Sequence, residues 1–130
     1  MLIFGAEIPF AGHCGVEALD SPQGETLLRL ELRPEHLNNL GVAHGGVTCT
    51  LLDIAMGSSA RRKVDLPVMT LDMQTSFIAP GRGILIAEGR VLRAGRSLVF
   101  CEGEVRTQGG DLVAKGTGLF KPVRPRAGEG

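Results

Sequence analysis

The chain has 130 residues, 43% of them hydrophobic and 22% charged, with 14 Lys and Arg against 14 Asp and Glu. That is enough apolar material for one domain with a real core, and it excludes a disordered chain. A net charge of zero, no Trp, no Tyr and only five Phe argue against a nucleic-acid binder and against a platform for stacked bases.

The opening MLIFGAEIPF has no basic start, and Glu7 interrupts its apolar run, so it does not read as a signal peptide. No stretch approaches the ~20 apolar residues that a bilayer requires. Cys14, Cys49 and Cys101 are odd in number and form no CxxC pair, which fits a reducing compartment. The expectation is a cytoplasmic protein with no membrane and no nucleic-acid partner.

Residues 1–19 are expected to form a short helix or loop and a partial strand. Glu25–Arg33 (ETLLRLELR) alternates apolar and polar residues in its second half, reads as a strand, and ends at Pro34. A long helix is predicted from His44-Gly45-Gly46 to about Lys63. Val47, Leu51 and Ile54 fall on one face, Leu52 and Ala55 widen it, and Arg61, Arg62 and Lys63 suit the negative end of the helix dipole. From Pro67 four runs of strand character follow, VMTLDMQTSFIAP, ILIAEGRVLRA, SLVFCEGEVRT and LVAKGTGLFKPV. Their breaks, at Pro80–Gly83, Ala94–Arg96 and Gln108–Asp111, are short enough for antiparallel hairpins or a meander. The 19 glycines point to tight turns and close backbone approaches. The fold class is therefore α+β: one domain over residues 1–121, an antiparallel sheet wrapped around a buried central helix, with a flexible tail at 122–130.

The stretch that carries chemistry is HLNNLGVAHGGVTCTLLD, from His36 to Asp53. Asp53 lies mid-helix among Leu51, Leu52, Ile54, Ala55 and Met56, where a carboxylate is rare unless something binds it. Its neighbours at helical spacing are Cys49, Thr50, Met56 and Gly57, mostly small residues, with Gly45 and Gly46 further back. This strip of small residues resembles the floor of a binding slot. The plainer alternative is an Asp that bonds a neighbouring chain or caps a loop. Gly45-Gly46 opens the helix, where the first N–H groups lack partners and can polarise a carbonyl oxygen, or else the pair serves packing alone. Eight residues separate Gly45 from Asp53, about 12 Å along one helix. Both would have to lie within ~3–3.5 Å of the same reacting atoms, so one chain cannot build the site. Two such helices, antiparallel across a two-fold axis, could build two equal composite sites.

HLNNLGVAHGGVTCTLLDIAMG resembles the signature of the hotdog-fold thioesterases, specifically the PaaI-like, phenylacetate-degradation subfamily. TLDMQTSFIAP is similar to that family's second motif and GRVLRAGRSLVFCEGEV to its following hairpin. The resemblance implies hydrolysis of an acyl-coenzyme A thioester, aryl or medium-chain, by a homodimer often doubled to a homotetramer. It implies no cofactor, coenzyme A being part of the substrate. By position it assigns Asp53 as general base or nucleophile, Gly45 N–H as oxyanion donor, Asn38 as a positioner of the thioester and Thr70 as an orienter of water. His44 would shape the loop and Gly46 would contact substrate. A non-catalytic acyl-CoA binding module and a hotdog hydratase or dehydratase are the alternatives.

Arg93 and Arg96 flank the turn at Gly95 and could meet coenzyme A phosphates, or stand as a solvated turn. His13-Cys14 supplies too few ligands for a metal. Cys49 with His44 could form a thiol–imidazole pair, although a cysteine in an apolar helix is usually inert. Met56, Met69, Met73, Phe77 and Leu51 could line an apolar slot or simply pack the core.

Overall fold

The computed structural model describes residues 2–125; of the tail expected at 122–130, residues 126–130 lie outside them. An N-terminal arm, β1 (Leu2–Ile3) and β2 (Ala6–Glu7), leads into a short helix, α1 (Pro9–Cys14). Next come β3 (Glu17–Leu19), β4 (Thr26–Glu31) and a 3-10 turn at Pro34–His36. The long helix α2 (Gly45–Val64) precedes β5 (Val68–Phe77), β6 (Ile84–Ala94), β7 (Val99–Thr107) and β8 (Leu112–Pro122). The central helix and the four later strands stand where the sequence placed them, and the strand read at Glu25–Arg33 is shorter at both ends.

The sheet has six antiparallel strands in the order β3-β4-β6-β7-β8-β5. Hairpins join β6 to β7 and β7 to β8, as expected for the breaks at Ala94–Arg96 and Gln108–Asp111. Pro80–Gly83 is not a hairpin. There β5 runs to the far edge and pairs with β8, from Val68↔Pro122 to Phe77↔Ala114, while β6 pairs with β4. The linker crosses the end of the sheet because its backbone finds partners on three elements. Ile78 and Ala79 N–H both donate to Val113 O (2.8 and 3.1 Å), Ala43 N–H donates to Gly81 O (2.9 Å) and Leu32 N–H to Gly83 O (2.9 Å).

Helix α2 is sunk into the inner face of this sheet. Leu51, Leu52, Ala55, Met56 and Ala60 are fully buried against Leu85, Ala87, Val105 and Phe120. Three strands make room for it with a row of glycines in direct register, Gly89↔Gly103 and Gly103↔Gly116. A Cβ on Gly89 would stand 2.2 Å from Ala55 O, and one on Gly103 would stand 3.0 Å from Met56 Cγ. No side chain fits between helix and sheet there. Ser59 is buried too, and its hydroxyl donates to Met56 O at 2.7 Å.

The cationic end of α2 does more than oppose the dipole. Arg61 donates to Ile3 O and Phe4 O, both at 2.7 Å. Arg62 lies over the Phe4 ring, 4.5 Å from its centre, and donates to Thr26 Oγ1 at 2.9 Å. Burial, with Arg62 alongside, draws the Arg61 pKa below the ordinary arginine value. These contacts clasp the arm across α2 at its left-handed turn, Phe4-Gly5 (φ 48° and 82°). Buried His36 fixes the other end of the arm. Its Nδ1 accepts Arg33 N–H and its Nε2 donates to Cys14 O, each at 2.8 Å.

Gly89→Ala is expected to lower unfolding stability by about 3 kcal/mol, since the added methyl has no space to enter and backbone is what it meets. Gly12→Ala, on α1 with nothing within 4 Å of the new methyl, should be neutral or stabilising by ~0.5–1 kcal/mol. Thermal unfolding of the two variants beside wild type checks both.

Candidate active site

The start of α2 is built by His44. Its imidazole Nδ1 accepts Gly46 N–H at 2.8 Å, and its carbonyl accepts Val47 and Thr48 N–H at 2.9 and 3.3 Å. Gly46 has therefore spent its donor on the cap. Gly45 N–H is left without a partner among the described residues, with the positive end of the helix dipole behind it. A Cβ at Gly45 would come into contact with the Phe77 ring at 3.4 Å.

Asn38 organises the loop ahead of the helix. Its side-chain oxygen accepts Leu40 N–H at 2.9 Å and Val42 N–H at 3.3 Å. Its backbone N–H donates to Val42 O at 2.8 Å. Because backbone N–H groups can only donate, the amide's oxygen must face them. The NH2 group is then free for a ligand carbonyl. Asn38, Gly45, Thr48 and Phe77 line one cavity of about 420 Å³.

Asp53 stands two turns further along α2, half-buried. Thr70, from the inner face of β5, donates its hydroxyl to Asp53 Oδ1 at 2.7 Å. Two further cavities meet at this pair. One, of about 460 Å³, is lined by Cys49, Thr50, Phe10 and Met73; the other, of about 350 Å³, reaches Gly57, Ser58 and Arg61; Ile8 and Ile54 border both. The structure thus brings Asp53 to Thr70, and Asn38 to Gly45, but puts the two pairs in separate cavities. That is the separation the helical rise demanded. Of the residues at helical spacing from Asp53, Cys49 and Thr50 line one of its cavities and Gly57 the other, while Met56 is buried in the core.

Other candidates fall away from these cavities. Arg93 and Arg96 are exposed at the β6–β7 turn, where Arg124 donates to Arg96 O at 2.9 Å; neither lines a cavity holding Asp53 or Gly45. His44 is committed to Gly46, and Cys49 Sγ lies 3.7 Å from Thr75 Oγ1, so no thiol–imidazole pair forms. Burial raises the Cys101 pKa, with the Ser59 hydrogen bond working the other way. Met73 and Phe77 line cavities, Met56 and Leu51 are core, and Met69 is exposed on β5. Among the described residues no cluster of three or more His, Cys, Asp or Glu could hold a metal, and no helix is long and apolar enough to cross a membrane.

Sequence reasoning missed Ile8 and Phe10. They reach the Asp53 cavities only because the arm folds back over α2, and nothing local in the sequence signals that contact.

Residues 40–114 match the family model described as the thioesterase superfamily. A Halobacterium salinarum protein, provisionally named an esterase, is 34% identical over 85% of this chain and 82% of its own. Human acyl-coenzyme A thioesterase 13 is 27% identical over 78% of this chain and 75% of its own. Among solved structures, a Bacillus halodurans protein crystallised with CoA superposes with a TM-score of 0.86 at 32% identity, covering 92% of this chain and 82% of that one. The PaaI protein of the E. coli phenylacetic acid degradation operon has a TM-score of 0.81 at 20% identity, over 88% and 84% of the chains, a likeness of fold.

Asn38→Ala is expected to cost about 1 kcal/mol of stability, because two loop N–H groups lose their acceptor. Thermal unfolding measures that cost. Faster amide exchange at Leu40 and Val42 locates it.

Proposed function

This chain belongs to the thioesterase superfamily and is a thioester hydrolase of hotdog fold, and from that premise we propose that it cleaves an aryl or medium-chain acyl-coenzyme A thioester at a site shared by two copies. The observation that carries the reading is the division of the polar groups: Asp53 with Thr70 in one cavity, Gly45 with Asn38 in another, on one helix.

A second copy, its α2 antiparallel, would bring its Gly45 and Asn38 to the first chain's Asp53. The thioester carbonyl oxygen then accepts from Gly45 N–H and the Asn38 amide. Thr70 has given its hydroxyl hydrogen to Asp53 and keeps lone pairs for a water. That arrangement favours Asp53 as general base over nucleophile. Asp53 takes a proton from the water as its oxygen attacks the carbonyl carbon. The displaced π electrons collect on the oxygen that Gly45 faces. When the intermediate collapses, the C–S bond breaks and the thiolate takes the proton back from Asp53, leaving acid and thiol.

The sheet edge supports the pairing. β5 ends the sheet as a ten-residue strand that, among the described residues, has no neighbouring strand on one side. Leu71 sits at its bulge, and Met69, Leu71 and Phe77 are about half exposed. A long apolar edge of this kind invites another strand.

Asp53→Asn should lower kcat by ~100-fold or more, since a positioned base contributes at least that much; thiol release from a panel of acyl-CoA substrates reads it, and a loss of only a few-fold removes Asp53 from this role. Light scattering should give at least twice the chain mass for wild type, and half or less of the wild-type value for Leu71→Arg, with activity lost in step. Mixing inactive Asp53→Asn with inactive Asn38→Ala should restore part of the activity through subunit exchange. No recovery counts against a shared site.

A further inference from the structure

Large apolar side chains stand exposed on two parts of the chain that lie far apart in sequence. One group belongs to the Asn38 side. Phe77 and Ile78 line its cavity, and Leu37 and Leu40 flank Asn38 in the loop. The other is Phe10 on α1, which lines a cavity of Asp53 with Ile8 and Met73. Apolar side chains scattered singly over a surface need no explanation, but a group gathered at a site does.

Leu40 is 75% exposed, the most of the large apolar side chains among the described residues. Its place is nonetheless fixed. Leu40 N–H donates to Asn38 Oδ1 at 2.9 Å, Gly41 N–H to Asn38 O at 3.0 Å, and Asn38 N–H to Val42 O at 2.8 Å. Gly41 closes the turn in the left-handed region, φ 76°. The loop tip thus holds a leucine out to solvent, where turn chemistry ordinarily puts polar residues. Phe10 is 57% exposed and equally fixed. Its neighbour Ala11 is buried. The last carbonyls of α1, His13 O and Cys14 O, are held by Arg33 and His36 at 3.0 and 2.8 Å.

The division of the site between two copies decides what covers these side chains. It requires Asn38 of one copy to reach the thioester at Asp53 of the other. Leu40 follows Asn38 by two residues, so their Cα atoms are at most ~7 Å apart. The loop therefore carries Leu40 to the same place, and the large apolar group that stands out there is Phe10. Resting on the shared-site reading, we propose that Leu40 of one copy packs on Phe10 of the other, which makes the N-terminal arm part of the subunit interface. A two-fold axis repeats the contact, giving two per dimer. The contact adjoins the β5 edge, since Met73 of that strand borders the same cavity as Phe10. Phe10 lies outside residues 40–114, the segment matched to the superfamily, so the contact belongs to this chain's own arm.

A double-mutant cycle on the dimer tests it. Light scattering on dilution gives the dissociation constant for wild type, Phe10→Ala, Leu40→Ala and the double variant. Each truncation removes both copies of the contact, and at about tenfold per contact each should raise the constant ~100-fold. Side chains that touch lose the contact only once, so the double variant should be little worse than either single one. Side chains that do not touch multiply their losses, to about 10,000-fold, and that result overturns the proposal. A single variant that dimerises like wild type overturns it too. Where the dimer is too tight to dilute apart, crosslinking carries the test, with Phe10→Cys and Leu40→Cys combined in a Cys14→Ser, Cys49→Ser background. A short bis-maleimide should turn this chain into a covalent dimer. Little should form from either cysteine alone, or from Phe10→Cys with Leu92→Cys, a leucine 58% exposed near the end of β6. A dimer that does not crosslink in this way overturns the contact. A wild type that stays monomeric sinks the shared site as well; a dimer without coupling sinks this inference alone.

Discussion

The contact between Ala55 O and the bare Cα of Gly89 governs this molecule. A methyl there would meet the carbonyl at 2.2 Å, so the helix axis can come this close to the sheet only over glycine. Gly103 and Gly116 continue the trough in register across β7 and β8. Because α2 sinks into it, most of the helix circumference is dry. One strip, between the β5 edge and the N-terminal arm, stays open. That strip carries Gly46, Cys49, Asp53 and Gly57, and the two cavities that meet at Asp53 open along it. Close packing on one side of the helix is what confines these cavities to the other.

A rigid helix also fixes how far apart two of its groups must stay. Gly45 and Asp53 cannot approach one another without breaking backbone hydrogen bonds, so the separation is built in rather than adjustable. The two ends are prepared differently. At the start, His44 takes up the Gly46 donor and leaves Gly45 free. Further along, β5 supplies Thr70 to one carboxylate oxygen of Asp53. Each end is a prepared half, and the exposed edge of β5 lies beside both. Shared catalysis between copies follows from this division as a proposal whose chemistry closes, with every proton accounted for.

The N-terminal arm is held by two backbone carbonyls, by the buried Ile3 side chain and by the Phe4 ring under Arg62. Arg61 offers a planar fork to both carbonyls at once, a geometry lysine cannot match. Holding the arm there brings Ile8 to the edge of both Asp53 cavities. It also roofs the region of Ser58. A cluster that reads from sequence as ordinary helix-end charge thus shapes the pocket beside Asp53.

The sequence by itself determined the elements and the separation of Gly45 from Asp53. The apolar periodicity of α2, the capping His44-Gly45-Gly46, the four strand runs and the ~12 Å between Gly45 and Asp53 all depend on residues near one another in the chain. Local geometry fixes them wherever the helix ends up. Tertiary structure alone decided the rest. Pro80–Gly83 looks like a hairpin turn until its carbonyls and those of Val113 are seen to bond Ala43, Leu32 and the linker itself. Ile8 reaches Asp53 only because Arg61 holds an arm more than fifty residues away in sequence. Ser58 and Ser59 are adjacent and chemically identical, and only the packing around them makes one satisfied and the other not. Strand order, arm docking and a missing partner are properties of contacts between distant segments, and no window along the chain contains both sides of such a contact.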